Sequence, residues 1–349
     1  MRVLIPIKRE RHPYLRLLCT HIENYGIKVL HTRSIWSFDF LKYACFAQVI
    51  HLHWIEFIVR SKNLIAESLK FWAACLIFLC LKIVKKRIVV TLHNIQPHEK
   101  VHPKLEEVWF RIVIKIADKI IVHNYYSHKV LKNYYGITDK VYIIPHGNFV
   151  GFYPNKVDRE TARKKLSIPE DAFVMLYFGL IRDYKGINDL LTVLRELLPH
   201  IYSQLFPVIC GKSEGKRLHK EIMKFSEEFV GRCIVRLEYI PDEEVQFYMN
   251  AADVGVLPYK EITTSGTVIL FQSFAKTVIV PKISPIKEIL GDYGIYFQPN
   301  NKESLKSSMI KAINFGSYQV QSLGRKAYEK ILKVDWDSIA KLTLKAYAE

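Results

Sequence analysis

The chain has 349 residues, half of them hydrophobic and 24% charged, which excludes a disordered tail and leaves room for two domains with separate cores. Its formal charge of +17 is uneven: residues 1–150 hold 23 Lys and Arg against 10 Asp and Glu, the remainder 28 against 24. A basic first half points to an anionic partner there (a membrane surface, a lipid phosphate or a nucleic acid) or, in the plainer reading, to a solvated basic surface. Six cysteines without CxxC or metal spacing sit mostly in apolar runs and read as reduced thiols. The opening MRVLIPIKRE enters a strand with no signal-peptide core, so the expected location is the cytoplasm.

From the N-terminus, short apolar runs alternate with helix-like segments. Strands are expected over Arg2–Ile7, Ile27–His31, Ala47–His53, Ile88–Leu92, Lys119–His123 and Lys140–Ile144. Several are near-continuous Val, Ile and Leu, as parallel strands buried on both faces should be. The loop Lys8–His12, KRERH, is a candidate for holding an acceptor phosphate through Lys8, Arg9 and His12, or else a solvated charge run. Leu64–Lys86 contains the uncharged run Phe71–Leu81 and ends in Lys85-Lys86-Arg87. A spanning helix needs about 20 apolar residues, and Glu67, Lys70 and Lys82 interrupt too early. The segment is read as a buried crossover helix, or as one that also dips into a membrane interface with its basic end on lipid phosphates. Eleven of thirteen histidines precede residue 147, among them His51, His53, His93, His98, His102, His123 and His146. Without HExxH or cysteine-assisted spacing they are expected to line a cleft at sheet ends and not to bind zinc, with His93 and His98 closest to the chemistry.

A break falls near IPHGNFVGFYPNKVDRE, where glycines, Pro154 and a polar run mark a linker. Beyond it, strands are expected over Phe173–Gly179, Phe206–Cys210, Cys233–Glu238, Val254–Pro258, Thr277–Pro281 and Ile295–Gln298, with helices such as Ile187–Pro199 and Asp242–Asn250 between them. Two alternating βα halves imply two doubly wound domains, with the carboxyl ends of both sheets at a shared cleft. In LYFGLIRDYKG, Gly179 lets backbone approach a ligand, while Arg182 and Lys185 offer a guanidinium fork and a compact charge suited to a diphosphate. Downstream, Thr263-Thr264-Ser265-Gly266 leads into a helix over Thr267–Ala275 whose N-terminus is a ready anion site. Capping alone would also explain Ser265. Gln272, two turns in, is expected to reach ribose hydroxyls.

YFGLIRDYKGINDLL, VICGKSEG, VRLEYIPDEEVQFYMNAADVGVLPY and SGTVILFQSFAKTVIVP follow one another in the order and spacing of the GT-B glycosyltransferases of the family 4 type (group 1). IHLHWIE, VVTLHNIQPHE, KIIVHNYYSHKVL and YIIPHGNF resemble that group's acceptor domain. The resemblance implies an acceptor-binding Rossmann-like domain over 1–150, a nucleotide-sugar-binding one over 151–335, and a helix over 336–349 crossing back to the first. It implies that Arg182 and Lys185 bind the donor diphosphate, that Ser265 and Gly266 lie beneath it with Thr267 also in the donor site, and that His93 touches the transferred sugar. Gln272 and Thr264 stand where the family's E-x7-E motif has its two glutamates. Neither glutamate is present, which leaves the donor and the stereochemical course open.

The expected reaction moves a sugar from a UDP- or GDP-sugar, a co-substrate and not a cofactor, to a lipid-linked or polysaccharide acceptor in exopolysaccharide or envelope synthesis. No DxD pair offers to hold a metal; fixed cations would instead stabilise the departing diphosphate. An inverting enzyme would need a base, for which Glu56 and Glu99 are candidates. CGKSEGK lacks P-loop spacing and no GxGxxG opens the first domain, so a P-loop and a nicotinamide dehydrogenase are set aside. The alternatives kept open are a nucleotide-sugar epimerase of the same fold and a basic nucleic-acid-binding protein, the latter without any recognisable nucleic-acid module.

Overall fold

The computed structural model describes residues 1–95, 101–200 and 204–349. The chain divides into two compact units, Met1–Gly147 with Val334–Glu349, and Asn148–Lys333.

In the first unit β1 (Arg2–Ile5), β2 (Lys28–His31), β3 (Val49–His53), β4 (Arg87–Leu92), β5 (Lys119–Val122) and β6 (Val141–Ile143) form one parallel sheet in the order β2-β1-β3-β4-β5-β6. The two-residue period sorts its side chains onto two faces. Leu4, Ile50, Leu52, Val90 and Val122 join one core, with the helices Leu64–Ile83 and Pro103–Ile116. Val3, Ile5, Val49, Val89 and Ile121 join the other, with the helices Pro13–Glu23 and Trp336–Ala348. The C-terminal helix is therefore part of the first unit's core. At Gly147 a Cβ would lie 2.4 Å from the Trp336 ring, so only glycine lets the chain pass there.

In the second unit β7 (Phe173–Phe178), β8 (Leu205–Cys210), β9 (Ile234–Arg236), β10 (Val254–Val256), β11 (Val278–Pro281) and β12 (Ile295–Phe297) form a parallel sheet in the order β12-β11-β10-β7-β8-β9. Two parallel six-stranded sheets wrapped by helices are the GT-B architecture. Several strands are shorter than their apolar runs. β10 stops before Pro258, which has no N–H for the ladder, and β6 and β9 are edge strands paired on one side only. Several helix starts carry side-chain caps: Asn63, Asn124, Asp158, Ser265, Asn301 and Asp335 each accept a backbone N–H of the first turn.

Leu64–Ile83 turns Glu67, Phe71, Ala74, Phe78 and Leu81 inward. Its opposite face, Ile65, Leu69, Trp72, Leu76, Leu79 and Ile83, is more than half exposed at every position. The helix is long and apolar enough to cross a membrane, but with one face built into the core it lies on the unit's surface. Only its inward face is buried, which differs from a wholly buried crossover.

Candidate active site

In each sheet the strand order reverses once, between β1 and β3 in the first unit and between β7 and β10 in the second. Ligands of open parallel sheets bind at the carboxyl ends of such strand pairs.

In the second unit the loop after β7 is pinned against the end of β10. Gly186 has φ +74°, and a Cβ there would lie 1.8 Å from the Pro258 carbonyl oxygen. Gly179 has φ +116°, and its absent Cβ would sit 3.0 Å from Thr267 Oγ1 and 3.9 Å from Lys185 Nζ. The bare Gly179 backbone, the Lys185 ammonium and the start of the helix Gly266–Ser273 thus share one small space. Lys185 also stands 5.9 Å from the centre of the Tyr259 ring. Burial, then the neighbouring Arg182, pushes the Lys185 pKa down to about 8. Arg182 is engaged: its Nε and Nη2 donate to Glu214 Oε2 at 2.7 and 2.6 Å. Ser265 acts as the cap, accepting from Val268 N at 3.2 Å, and lies 3.1 Å from Tyr259 Oη. Thr264 and Gly266 flank it, both partly buried. Gln272 differs from expectation. It is fully buried, with its amide nitrogen 3.3 Å from the Ala327 carbonyl oxygen on the helix Lys302–Leu332, while its amide oxygen is buried without a hydrogen-bond partner among the described residues.

In the first unit His51, His53, Thr91, His93 and His123 continue, at two-residue spacing, the sheet face that carries Val49, Val89 and Ile121. Their rings therefore gather at one end of that face. Tyr14, from the helix Pro13–Glu23, is the hub, with ring centres 5.9, 5.0, 5.5 and 4.9 Å from those of His53, His93, His123 and His146. His123 Nδ1 donates to the Ile144 carbonyl (2.9 Å), His123 Nε2 lies 3.2 Å from His93 Nδ1, and His93 Nε2 lies 3.1 Å from His53 Nδ1. Burial holds the pKa of His51 and His146 down to about 3, of His123 to about 4, and of His53 and His93 well below the ordinary value. The imidazoles are neutral. Both nitrogens of His93 face other histidines, so it is a link in this chain of imidazoles; the resemblance has it touch the transferred sugar. Among the described residues no three His, Cys, Asp or Glu side chains converge as a metal site; these ring nitrogens point at one another.

Of the expected acceptor residues, Arg9 donates to Glu23 (2.7 Å) and to Thr20, so its guanidinium braces the helix Pro13–Glu23. Lys8 is exposed. His12 stacks on Trp54 at 4.2 Å. His98 and Glu99 lie outside the described residues. Glu56, in the first turn of the short helix Glu56–Val59, has its carboxyl pushed up by burial, against the opposing pull of Arg60 and a hydrogen bond with Asn94. Sequence reasoning missed Glu214, Tyr259, Tyr14 and Trp54. For the histidines a signal was there: HLH, TLH and IVH place each partner at the end of an apolar strand on one face.

Residues 158–330 match the sequence family described as glycosyl transferases group 1. The second unit belongs to that family. A GDP-mannose:glycolipid 4-beta-D-mannosyltransferase of Xanthomonas campestris pv. campestris is 25% identical over 306 residues, covering 86% of this chain and 79% of the relative. Sucrose-phosphate synthase from Thermosynechococcus elongatus superposes with a TM-score of 0.79 at 15% identity over 99% of this chain and 98% of that one. HepE of Anabaena, crystallised with UDP and glucose, superposes with 0.74 at 14% identity over the same shares. The group 1 glycosyl transferase match spans Gly179, Arg182, Lys185 and Thr264–Gln272, whereas the histidine cluster lies before it. The chain is a glycosyltransferase with the GT-B fold.

Proposed function

We propose that the chain transfers a hexosyl group from a GDP- or UDP-sugar, held by the second unit, to a lipid-linked or polysaccharide acceptor held by the first. The carrying observation is the Lys185 ammonium beside Gly179, Thr267 and a helix N-terminus, with no carboxylate in ion-pair contact among the described residues. In glycosyl transfer an oxocarbenium-like centre forms while negative charge builds on the departing diphosphate. A fixed ammonium and helix N–H groups stabilise that charge without reorganising. Arg182 joins them by exchanging Glu214 for phosphate oxygens, a trade one guanidinium fork can make. Glu56 is our candidate to take the proton of the acceptor hydroxyl. The Xanthomonas relative, whose name pairs GDP-mannose with a glycolipid, supports both halves of this reading.

For a lipid-linked acceptor the enzyme must meet a membrane. The exposed face of Leu64–Ile83, continued by exposed Val84 and followed by Lys85, Lys86 and Arg87, suits the interface of an anionic bilayer. We assign it peripheral binding at the inner face of the cytoplasmic membrane.

The test is a thermal-shift screen with GDP-mannose, UDP-glucose and UDP-N-acetylglucosamine. A ligand at a hundred times its Kd stabilises by about 2.7 kcal/mol. Lys185→Ala and Arg182→Ala should each abolish the shift, and a normal response in both would overturn the donor site.

A further inference from the structure

The first unit holds a cavity of about 280 Å³ at the carboxyl ends of β1 and β3, its point of strand-order reversal. That is near the lower bound of small-molecule pockets, about 300 Å³, and suits one ring better than an extended chain. Its walls are mainly apolar, with Trp36, Trp54 and Phe57 giving aromatic surface and His12, Arg33, Ser34 and His53 as the polar side chains. Trp54 has φ +46°, a left-handed conformation costly for so bulky a residue. Its ring is kept there by stacking on His93 (4.2 Å, 9° between planes) and on His12.

The hydrogen-bond chain settles the protonation of His53. A neutral imidazole has one donor and one acceptor nitrogen. A carbonyl only accepts, so His123 carries its proton on Nδ1, toward Ile144. His123 Nε2 must then accept from His93 Nδ1, and His93 Nε2 from His53 Nδ1. The lone pair left over is on His53 Nε2. That atom is buried, and among the described residues it has no hydrogen-bond partner. His53 itself is 2% exposed. An unpaired buried acceptor is costly because it has lost its water without gaining a partner, and a hydroxyl brought by a ligand would supply one.

We propose that this cavity is a subsite for one neutral pyranose ring of the acceptor, its apolar face against the tryptophans and one hydroxyl donating to His53 Nε2. The assignment rests on the glycosyl-transfer reading and names its acceptor as a hydroxyl-bearing ring. His53 recognises the hydroxyl and does not remove its proton. Burial, and after it the neighbouring His51, His93, His123 and His12, hold the His53 ring neutral, with Tyr14 also packed against it at 5.9 Å.

Nitrogen-15 NMR of histidine-labelled protein tests this without turnover. His53, His93 and His123 should all be Nδ1–H tautomers, and the His53 Nε2 signal should move on adding at least one of the methyl α- and β-glycosides of glucose, mannose and galactose. A proton on His53 Nε2, or no movement with any of the six, overturns the proposal. His53→Phe, which keeps a ring but removes the lone pair, should weaken the responding glycoside at least tenfold while leaving the nucleotide-sugar thermal shift intact. His53→Gln, with an acceptor oxygen, should recover part of that binding. Unchanged glycoside affinity in His53→Phe also overturns the proposal; if that variant does not fold, the wild-type spectrum decides. Loss of the nucleotide-sugar shift in the wild type would sink the wider functional reading instead, so the two failures are distinguishable.

Discussion

Lys185 and Glu56 are both pushed away from the charged form by burial, and each should leave a pH signature. The Lys185 ammonium, with its pKa lowered to about 8, loses its proton as pH rises through that value. A bound diphosphate favours the charged form and lifts the pKa back toward the ordinary value of about 10.4. Nucleotide-sugar Kd should therefore weaken above pH 8, by up to about tenfold per pH unit. Titration calorimetry at pH 8.5 in two buffers of different ionisation enthalpy should show proton uptake, which Lys185→Arg removes. Identical heats in both buffers would contradict this. Glu56 must be ionised to accept a proton, and its raised pKa means that activity falls on acidification sooner than for an ordinary glutamate near about 4.3. Glu56→Gln should lower kcat by about 10²–10⁴ with the nucleotide-sugar thermal shift unchanged; near-normal turnover would remove Glu56 from the chemistry. Arg182 and Lys185 were legible as cations between two glycines. Glu214, which holds Arg182, was not, because it follows a different strand and meets Arg182 only when β7 and β8 pair.

At the scale of elements, two assemblies separate stability from function. Asp253, fully buried before β10, accepts from Arg163 (2.8 Å), Arg159 (3.0 Å), Ser317 (3.0 Å) and the Val174 backbone N–H (2.7 Å). It ties the helix Arg159–Leu166, β7 and the helix Lys302–Leu332 together. Asp253→Ala would strand the buried Arg163 guanidinium, and breaking such a pair costs about 3–5 kcal/mol. Urea unfolding of the second unit should show a loss of that size, and a change below 1 kcal/mol would mean the network is dispensable. The helix Leu64–Ile83 behaves oppositely on its outer face. Leu69→Ser with Trp72→Ser and Leu76→Ser should leave unfolding within about 0.5 kcal/mol per site, as exposed positions do. The same variant should reduce co-sedimentation with phosphatidylglycerol-containing vesicles at least tenfold. Undiminished sedimentation would place the membrane contact elsewhere. The sequence showed an uncharged run, Phe71–Leu81, within this segment; which side of the helix the core uses depended on the sheet beneath.

For the whole molecule, the uneven histidines predict uneven acid stability. His51, His53, His93, His123 and His146 are buried neutral in the first unit, while the unfolded chain protonates each near about 6.5. The unfolded state therefore binds more protons below that pH. Stability of the first unit is full above about 6.5 and falls as pH drops, by up to about 1.4 kcal/mol per pH unit for each histidine. All five tryptophans, Trp36, Trp54, Trp72, Trp109 and Trp336, belong to this unit, so their fluorescence follows it alone. Its thermal midpoint should drop markedly between pH 7.5 and 5.5; a midpoint constant across that range would show that the cluster titrates as it does in water.

Local pattern alone determined the twelve strands among the described residues, the alternation that makes both sheets parallel, the linker before Asp158, and the loop that sets Arg182 and Lys185 between Gly179 and Gly186. Each depends on periodicity or turn chemistry within about a dozen residues. Tertiary structure alone decided that Gln272 turns into the core, that Arg9 braces a helix, and that His53 ends a relay with its lone pair unused. Those outcomes depend on which strands stand side by side. Residues 53, 93 and 123 become neighbours only through β3-β4-β5 pairing, and hydrogen-bond direction among imidazoles follows from the one carbonyl at the end of their chain.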